Sequence, residues 1–183
     1  MVGSRLILPG PNLDGQSLIE LMNEEGVTMA LAIPTIWEEV LEILRDTGTT
    51  LDTVERILSG GTAVPGWMIR EFDETHGVRL IHGWGMTETS PLGSVNAPLG
   101  KHAGIEGEAR LGSMTSAGRP HWAVRLKIVD NEGNQLPNDG VSEGTLHVRG
   151  STVVERYMSH EKAVTDSNGC LLYTSDAADD FTS

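Results

Sequence analysis

The sequence predicts an α/β protein: a mostly parallel βαβ sheet with helices on its faces, followed by a small antiparallel sheet or barrel. Three observations support this prediction. Up to about residue 82, apolar runs alternate with amphipathic segments in the order β-α-β-α-β-α-β. From residue 89 to residue 120, glycine and small residues dominate and no helical period appears. Beyond residue 120, two segments alternate apolar and polar residues, which is typical of half-buried strands.

The first half contains four predicted strands and three predicted helices. The strands are the apolar runs at 5–8, 27–33, 54–58 and 78–82. The run at 27–33 is nearly continuous, which predicts a strand covered on both faces. Asp14 is expected to cap the first helix, and Pro65 to open the third. Thr35 and Glu38 have the spacing of a capping box for the second helix.

The second half is predicted to be rich in β-structure. Strands are expected at 123–129 and 146–149, with a turn at 130–134 after the first of them. We therefore divide the chain into an α/β subdomain at 1–97 and a β-rich subdomain at 98–169.

Composition excludes several classes of function. The chain has 13 Lys and Arg against 26 Asp and Glu, a net charge of −13, which disfavours binding to nucleic acid or to an anionic membrane. Its one cysteine, Cys170, excludes a disulfide framework, and the six histidines lack metal-ligand spacing. No apolar run approaches the roughly 18 residues of a membrane span, so the cytoplasm is the expected compartment.

Two glycine-bearing turns follow neighbouring predicted strands. Gly60-Gly61-Thr62 comes after the strand at 54–58, and the segment 83–90 comes after the strand at 78–82. Ligands of parallel α/β sheets bind outside the carboxyl ends of the strands, so both turns lie where a ligand is expected. Glycine at such a position lets a ligand approach the backbone closely.

The second turn offers groups that suit a nucleotide. The indole of Trp84 can stack on a base, the hydroxyl of Thr87 can hold a phosphate oxygen, and Glu88 can bind a bridging Mg²⁺. The same residues also fit two purely structural strand-to-helix turns with a buried tryptophan, and both interpretations stay open. A dinucleotide fingerprint is excluded because the third glycine is missing.

The segment Gly83-Trp84-Gly85-Met86-Thr87-Glu88-Thr89-Ser90-Pro91 closely resembles the G-[YW]-G-x-T-E motif of the adenylate-forming enzymes. This family includes acyl-CoA synthetases, luciferases and the adenylation domains of peptide synthetases. Four other segments resemble family motifs in the family order: 27–35, 59–62, 118–130 and 144–150. In the last of these, Thr145 replaces the usual glutamate. The resemblance covers about residues 5–169 and implies part of the large N-terminal domain of such an enzyme, with 1–97 as its nucleotide-binding portion.

The resemblance also implies roles for individual residues. Trp84 stacks on adenine, Thr87 contacts the α-phosphate and Glu88 binds Mg²⁺, so Thr87 and Glu88 are the expected catalytic residues. The turn Gly60-Gly61-Thr62 borders the adenine and acyl pockets. The other motif positions expected to bind the nucleotide are Gly83, Gly85 and Met86.

The function implied is that of an AMP-forming acyl-CoA synthetase, in which an acid attacks ATP to give an acyl-adenylate and CoA then displaces AMP. The motifs look most like those of medium- to long-chain fatty-acid–CoA ligases and methylmercaptopropionate–CoA ligases. The expected partners are a carboxylic acid, ATP and CoA, with Mg²⁺ as cofactor. Two alternatives stay open: an adenylation domain that loads a carrier protein, and a non-catalytic nucleotide-binding or structural domain.

The family pattern extends beyond this chain at both ends. The phosphate loop with its lysine is expected upstream, so Met1 is expected to be internal, and the W-F-x-T-G-D stretch does not follow Gly169. The chain by itself is therefore expected to be inactive. The string from Cys170 to Asp180 resembles a translated transposon-type sequencing adapter, so 170–183 is expected to be a non-native tail that does not pack.

Overall fold

The computed structural model describes residues 3–97, 104–158 and 163–173. The chain divides into two compact units, which are described separately. The first unit comprises Met1–Trp84 and Val95–Gly118, and the second comprises Gly85–Ser94 and Arg119–Ser183. The division of the sequence into 1–97, 98–169 and 170–183 stays a prediction. No helix in the described part of the chain is long and apolar enough to cross a membrane.

Strands and helices alternate along the first unit, as the sequence predicts. Its elements are α1 (Gly15–Glu24), β1 (Met29–Ala32), α2 (Pro34–Thr47), β2 (Arg56–Ser59), α3 (Gly66–Glu74), β3 (Arg79–Gly85) and, later in the chain, α4 (Gly107–Thr115). The final residue of β3 already belongs to the second unit. β2 pairs in parallel with both β1 and β3. β4 (Leu92–Val95) and β5 (Arg119–Pro120) follow later in the chain. The predicted α/β fold with a mostly parallel sheet is thereby confirmed.

The core of the first unit lies between this sheet and the helices. Trp37 of α2 and Phe72 of α3 meet edge to face, with ring centroids 5.9 Å apart, and Ile57 of β2 is fully buried beside the same cluster. Burial of each such side chain contributes about 1.5–3 kcal/mol. The amphipathic segments of the first half thus include α2 and α3, whose apolar residues pack in this core.

Helix boundaries agree with the sequence in one case and differ in another. The Asp14 carboxylate accepts hydrogen bonds from the Ser17 N–H (2.9 Å) and the Ser17 hydroxyl (2.8 Å), which confirms the predicted cap of α1. The predicted capping box of α2 is wrong. Ile33 occupies the N-cap position without a side-chain hydrogen bond, and Thr35 already lies inside the helix because Pro34 starts it.

Three predictions about strands and helices of the first half are wrong. Residues 5–8 form no strand, and Leu6 and Leu8 are 79% and 75% exposed, so this short run has neither a core nor a neighbouring strand in the described structure. β1 is not covered on both faces, because it lies at the end of the sheet and Leu31 is 72% exposed. The region 89–120 does contain a helix, α4. Its sequence is only weakly amphipathic, so the helical period is not recognisable in the sequence.

The second unit contains the predicted antiparallel sheet. β6 (Val124–Val129) pairs with β7 (Thr145–Gly150), which pairs in turn with β8 (Leu171–Leu172). The expectation that nothing packs from Cys170 onward is wrong for residues 170–173. Leu171 is buried opposite Val148, and the Tyr173 N–H donates to the Leu146 carbonyl (2.8 Å). The remainder of the predicted tail, 174–183, lies outside the described residues.

Candidate nucleotide site

The first predicted turn follows β2, whereas the second begins later than predicted. Ser59, the last residue of β2, pairs with His82 of β3, and residues 60–62 follow β2 directly. Gly83, Trp84 and Gly85 still belong to β3, which extends to Gly85 instead of ending at residue 82. A Cβ on Gly60 would overlap with the carbonyl oxygen of Gly83, which shows how closely the two backbones approach. The first unit therefore brings together these parts of the predicted site as the parallel-sheet argument requires.

The turn after β2 has an open backbone. Gly61 adopts φ +92°, a conformation that favours glycine, and only the Ile33 side chain lies within 4 Å of the position of its missing Cβ. Gly61 and Thr62 are both exposed. This turn can therefore offer N–H groups and a hydroxyl to a ligand. Trp84, at the end of β3, is half-buried, which places part of its indole at the surface and part in the protein.

In the second unit, residues 86–90 form a compact turn around a buried threonine. A short 3-10 helix spans Thr87–Thr89, and the Thr89 side chain is fully buried. Its hydroxyl accepts a hydrogen bond from the Met86 N–H (3.0 Å) and lies 2.9 Å from the Met86 carbonyl oxygen. These contacts close the turn from within and leave Thr87 exposed on its surface.

Gly60 and Gly85 have packing reasons to be glycine. A Cβ on Gly85 would overlap with the carbonyl oxygen of Pro91, where the chain folds back after the turn. At Gly60 the obstacle is the backbone of Gly83. Both residues are needed to form the turns, so a contact with a nucleotide is not required to explain why they are glycines.

Glu88 is held by a segment that the sequence analysis did not single out. The Tyr157 hydroxyl donates a hydrogen bond to Oε1 of Glu88, and the Val154 N–H donates to the Glu88 carbonyl oxygen (2.8 Å). Burial, together with the hydrogen bond and charge of Glu88, raises the pKa of Tyr157 to about 12. Tyr157 lies 69 residues from Glu88 in sequence, and no local pattern connects the two.

The residues present fit Mg²⁺ in chemical type. Within the described structure, Oε2 of Glu88 accepts no hydrogen bond, and the side chain is only half-buried. A carboxylate oxygen is a preferred ligand of this hard cation, which proteins typically bind through one or two carboxylates together with substrate phosphates. Thr87, the adjacent residue, presents an exposed hydroxyl.

A second group of ligand types occurs in the same unit, at His147, Asp166 and Cys170. The Asp166 carboxylate accepts hydrogen bonds from the N–H groups of Asn168 and Cys170, both at 2.8 Å, and these bonds lower its pKa. Asp166 is thus explained as the cap of a tight turn. Because Cys170 lies in the segment predicted to be non-native, we do not propose a metal site here.

The second unit also contains a cavity of about 710 Å³. Arg125 and Arg149 line it, together with Gly150 and Ser151. None of the residues predicted from the sequence to bind ATP or Mg²⁺ lines this cavity. Val154, which also lines the cavity, donates to the Glu88 carbonyl oxygen, so the cavity adjoins the segment that contacts Glu88.

Comparison with known proteins identifies the family. The model of the AMP-binding enzyme family matches residues 1–158. The chain is 44% identical over 169 residues to a medium-chain-fatty-acid–CoA ligase of Ectopseudomonas oleovorans, covering 92% of this chain and 31% of the relative. It is 47% identical over 157 residues to a 3-methylmercaptopropionyl-CoA ligase of Ruegeria pomeroyi, covering 86% and 29%. The chain thus spans about a third of the length of these relatives.

Solved structures show the same fold. An anthranilate–CoA ligase in complex with anthranoyl-AMP superimposes with a TM-score of 0.73 at 24% identity, over 92% of this chain and 31% of that one. A long-chain-fatty-acid–CoA ligase from Archaeoglobus fulgidus gives 0.68 at 22% identity, over 87% and 33%. The resemblance drawn from the five motifs is confirmed, and this chain belongs to the AMP-binding enzyme family, the adenylate-forming enzymes.

Proposed function

We propose that this chain contributes the nucleotide-facing part of an AMP-forming acyl-CoA synthetase. The observation that supports this most is the segment Gly83–Glu88, which comprises the end of β3 and the residues after it. β3 is paired in parallel with β2, which the Gly60-Gly61-Thr62 turn follows, and the chain is 44–47% identical to two acyl-CoA ligases. In the proposed reaction, a carboxylate attacks the α-phosphate of ATP, pyrophosphate leaves, and the CoA thiol then displaces AMP. The substrates are a small carboxylic acid, ATP and CoA.

Each site residue has a proposed role that agrees with its surroundings. The half-buried indole of Trp84 stacks on adenine, and the exposed hydroxyl of Thr87 binds an α-phosphate oxygen. Gly60, Gly61, Thr62, Gly83, Gly85 and Met86 shape the surrounding turns. Glu88 holds Mg²⁺, which when bound neutralises phosphate charge. Thr87 and backbone N–H groups add stabilisation where negative charge develops.

The alternatives have less support. A carrier-protein-loading adenylation domain would share the same nucleotide residues, but the two relatives described above are both CoA ligases. A purely structural role explains Gly60 and Gly85, but it gives no reason for the exposed Thr87 beside Glu88.

We also propose a cytoplasmic location.

The test uses the protein expressed from the complete gene. We expect pyrophosphate release that requires both ATP and a fatty or short thioether acid, and acyl-CoA formation that requires CoA, detected by mass spectrometry. Acyl-adenylate without acyl-CoA would favour loading of a carrier protein. The absence of pyrophosphate release with every acid would reject the synthetase proposal.

A further inference from the structure

The segment 151–157 holds Glu88 at two points. The Val154 N–H donates to the main-chain carbonyl of Glu88 at 2.8 Å, which fixes the backbone of the turn. The Tyr157 hydroxyl donates to Oε1 of the Glu88 carboxylate, which fixes the end of the side chain. Both contacts lie within the second unit, and the segment follows directly from strand β7.

These two contacts leave the glutamate with little freedom. A free glutamate side chain samples many rotamers, and ordering it on binding a cation costs conformational entropy. With its backbone and one oxygen fixed, Glu88 has already lost that freedom. Its other oxygen, Oε2, accepts no hydrogen bond within residues 3–97, 104–158 and 163–173.

We propose that Tyr157 is the positioning residue for the metal-binding carboxylate: its hydroxyl holds Oε1 of Glu88, so that Oε2 is presented to the Mg²⁺ that accompanies ATP. This inference rests on the proposed function, because it requires that Glu88 binds the metal. Tyr157 itself does not touch the metal or the reacting atoms. Its proposed effect on Mg²⁺ runs through Glu88.

The competing explanation is that Tyr157 merely anchors the segment 151–157 to the turn. An anchor would affect stability, but it would not affect how strongly Mg²⁺ improves nucleotide binding. The chain offers a matched control in Thr152, whose buried Oγ1 has no hydrogen-bond partner in the described structure. Thr152→Val removes a hydroxyl from the same segment and leaves the contact with Glu88 unchanged.

The first measurement requires no catalysis. ATP is titrated calorimetrically into the protein from the complete gene, with and without Mg²⁺, and the ratio of the two dissociation constants is compared between variants. We expect Tyr157→Phe to reduce the gain from Mg²⁺ about 10-fold, consistent with losing a hydrogen bond to a charged group. Thr152→Val should leave the ratio unchanged. An unchanged ratio in Tyr157→Phe would overturn the proposal, even if the variant melts at a lower temperature.

The second measurement tests whether the effect of Tyr157→Phe on the Mg²⁺ ratio depends on Glu88. In Glu88→Ala, adding Tyr157→Phe should change neither the Mg²⁺ ratio nor the Mg²⁺ concentration for half-maximal activity. An equal effect of Tyr157→Phe with and without Glu88 would place its action elsewhere and overturn the inference. If Glu88→Ala itself leaves the Mg²⁺ ratio unchanged, the metal role in the proposed function fails. If Glu88→Ala lowers the ratio and Tyr157→Phe does not, only the present inference fails.

Discussion

Substitution of Trp84 should weaken ATP binding more than it slows turnover. Stacking of an aromatic side chain on a base contributes about 1–3 kcal/mol, so Trp84→Ala should raise the apparent ATP constant by roughly 5- to 150-fold. Turnover should change less, because stacking stabilises the bound substrate and the transition state alike. Steady-state kinetics of the protein from the complete gene provide the measurement.

Trp67 supplies a matched control for this experiment. It is 44% exposed on α3, and the Arg45 guanidinium lies 5.8 Å from the centre of its ring. Trp67→Ala removes the same side chain at a position outside the predicted site and should leave the ATP constant unchanged. Equal effects of the two substitutions would remove Trp84 from the nucleotide site.

Glu88 should show a different kinetic pattern. Glu88→Gln keeps the shape and removes the charge, so the loss of metal stabilisation should lower the rate by about 10²–10³. High Mg²⁺ should restore part of this loss. Glu132→Gln, at an exposed carboxylate in the same unit, is the control and should stay close to wild type. Wild-type activity of Glu88→Gln across a full Mg²⁺ series would reject the metal role.

The sequence predicts the local part of the site and misses the long-range part. Trp84, Thr87 and Glu88 lie within five residues of one another, so a single motif identifies them. Tyr157 lies 69 residues away from its partner, and only the folding of the segment after β7 brings the two together. Local patterns carry no information about such a contact.

At the scale of elements, the close approach of the backbones after β2 and in β3 requires glycine at position 60. A Cβ on Gly60 would overlap with the backbone of Gly83, which cannot move without disturbing β3. Gly60→Ala should therefore lower the free energy of unfolding by about 1–3 kcal/mol, the usual cost of overpacking. Urea denaturation of the chain measures this directly.

At Gly112 in α4, substitution by alanine is not expected to lower the free energy of unfolding. Nothing lies within 4 Å of its missing Cβ, and alanine favours a helix over glycine by about 0.5–1 kcal/mol. Gly112→Ala should therefore be neutral or stabilising in the same assay. Equal losses at both glycines would show that the close approach at Gly60 is not what limits stability.

Elements with strong internal patterns are predictable here, and elements that depend on neighbours are not. The helical period of α2 predicts an apolar face of Ile36, Trp37, Val40, Leu41 and Leu44. All of them are buried except Ile36, which is half-buried. The burial of β1 is mispredicted, because an apolar run predicts covering layers that the described sheet does not supply. The same applies to residues 5–8, whose apolar side chains find no partner strand in the described structure.

At the scale of the whole molecule, the residues after Gly169 are expected to contribute to stability. Leu171 is 5% exposed and pairs with β7, so removing 170–183 should cost about 1.5–3 kcal/mol, the value of one buried leucine. A second truncation, removing only 174–183, isolates the contribution of residues 170–173. Equal denaturation midpoints for the two truncated chains would show that β8 contributes nothing.

The exposed edge of β1 is expected to make the measured stability of this chain depend on protein concentration. Met29 and Leu31 are 50% and 72% exposed on β1, which ends the described sheet, a combination that favours pairing with a second copy. Association stabilises the folded state by mass action, so the denaturation midpoint should rise as the chain is concentrated. Leu31→Lys should abolish that rise. Variants should therefore be compared at one low protein concentration, at which association does not contribute to the denaturation midpoint.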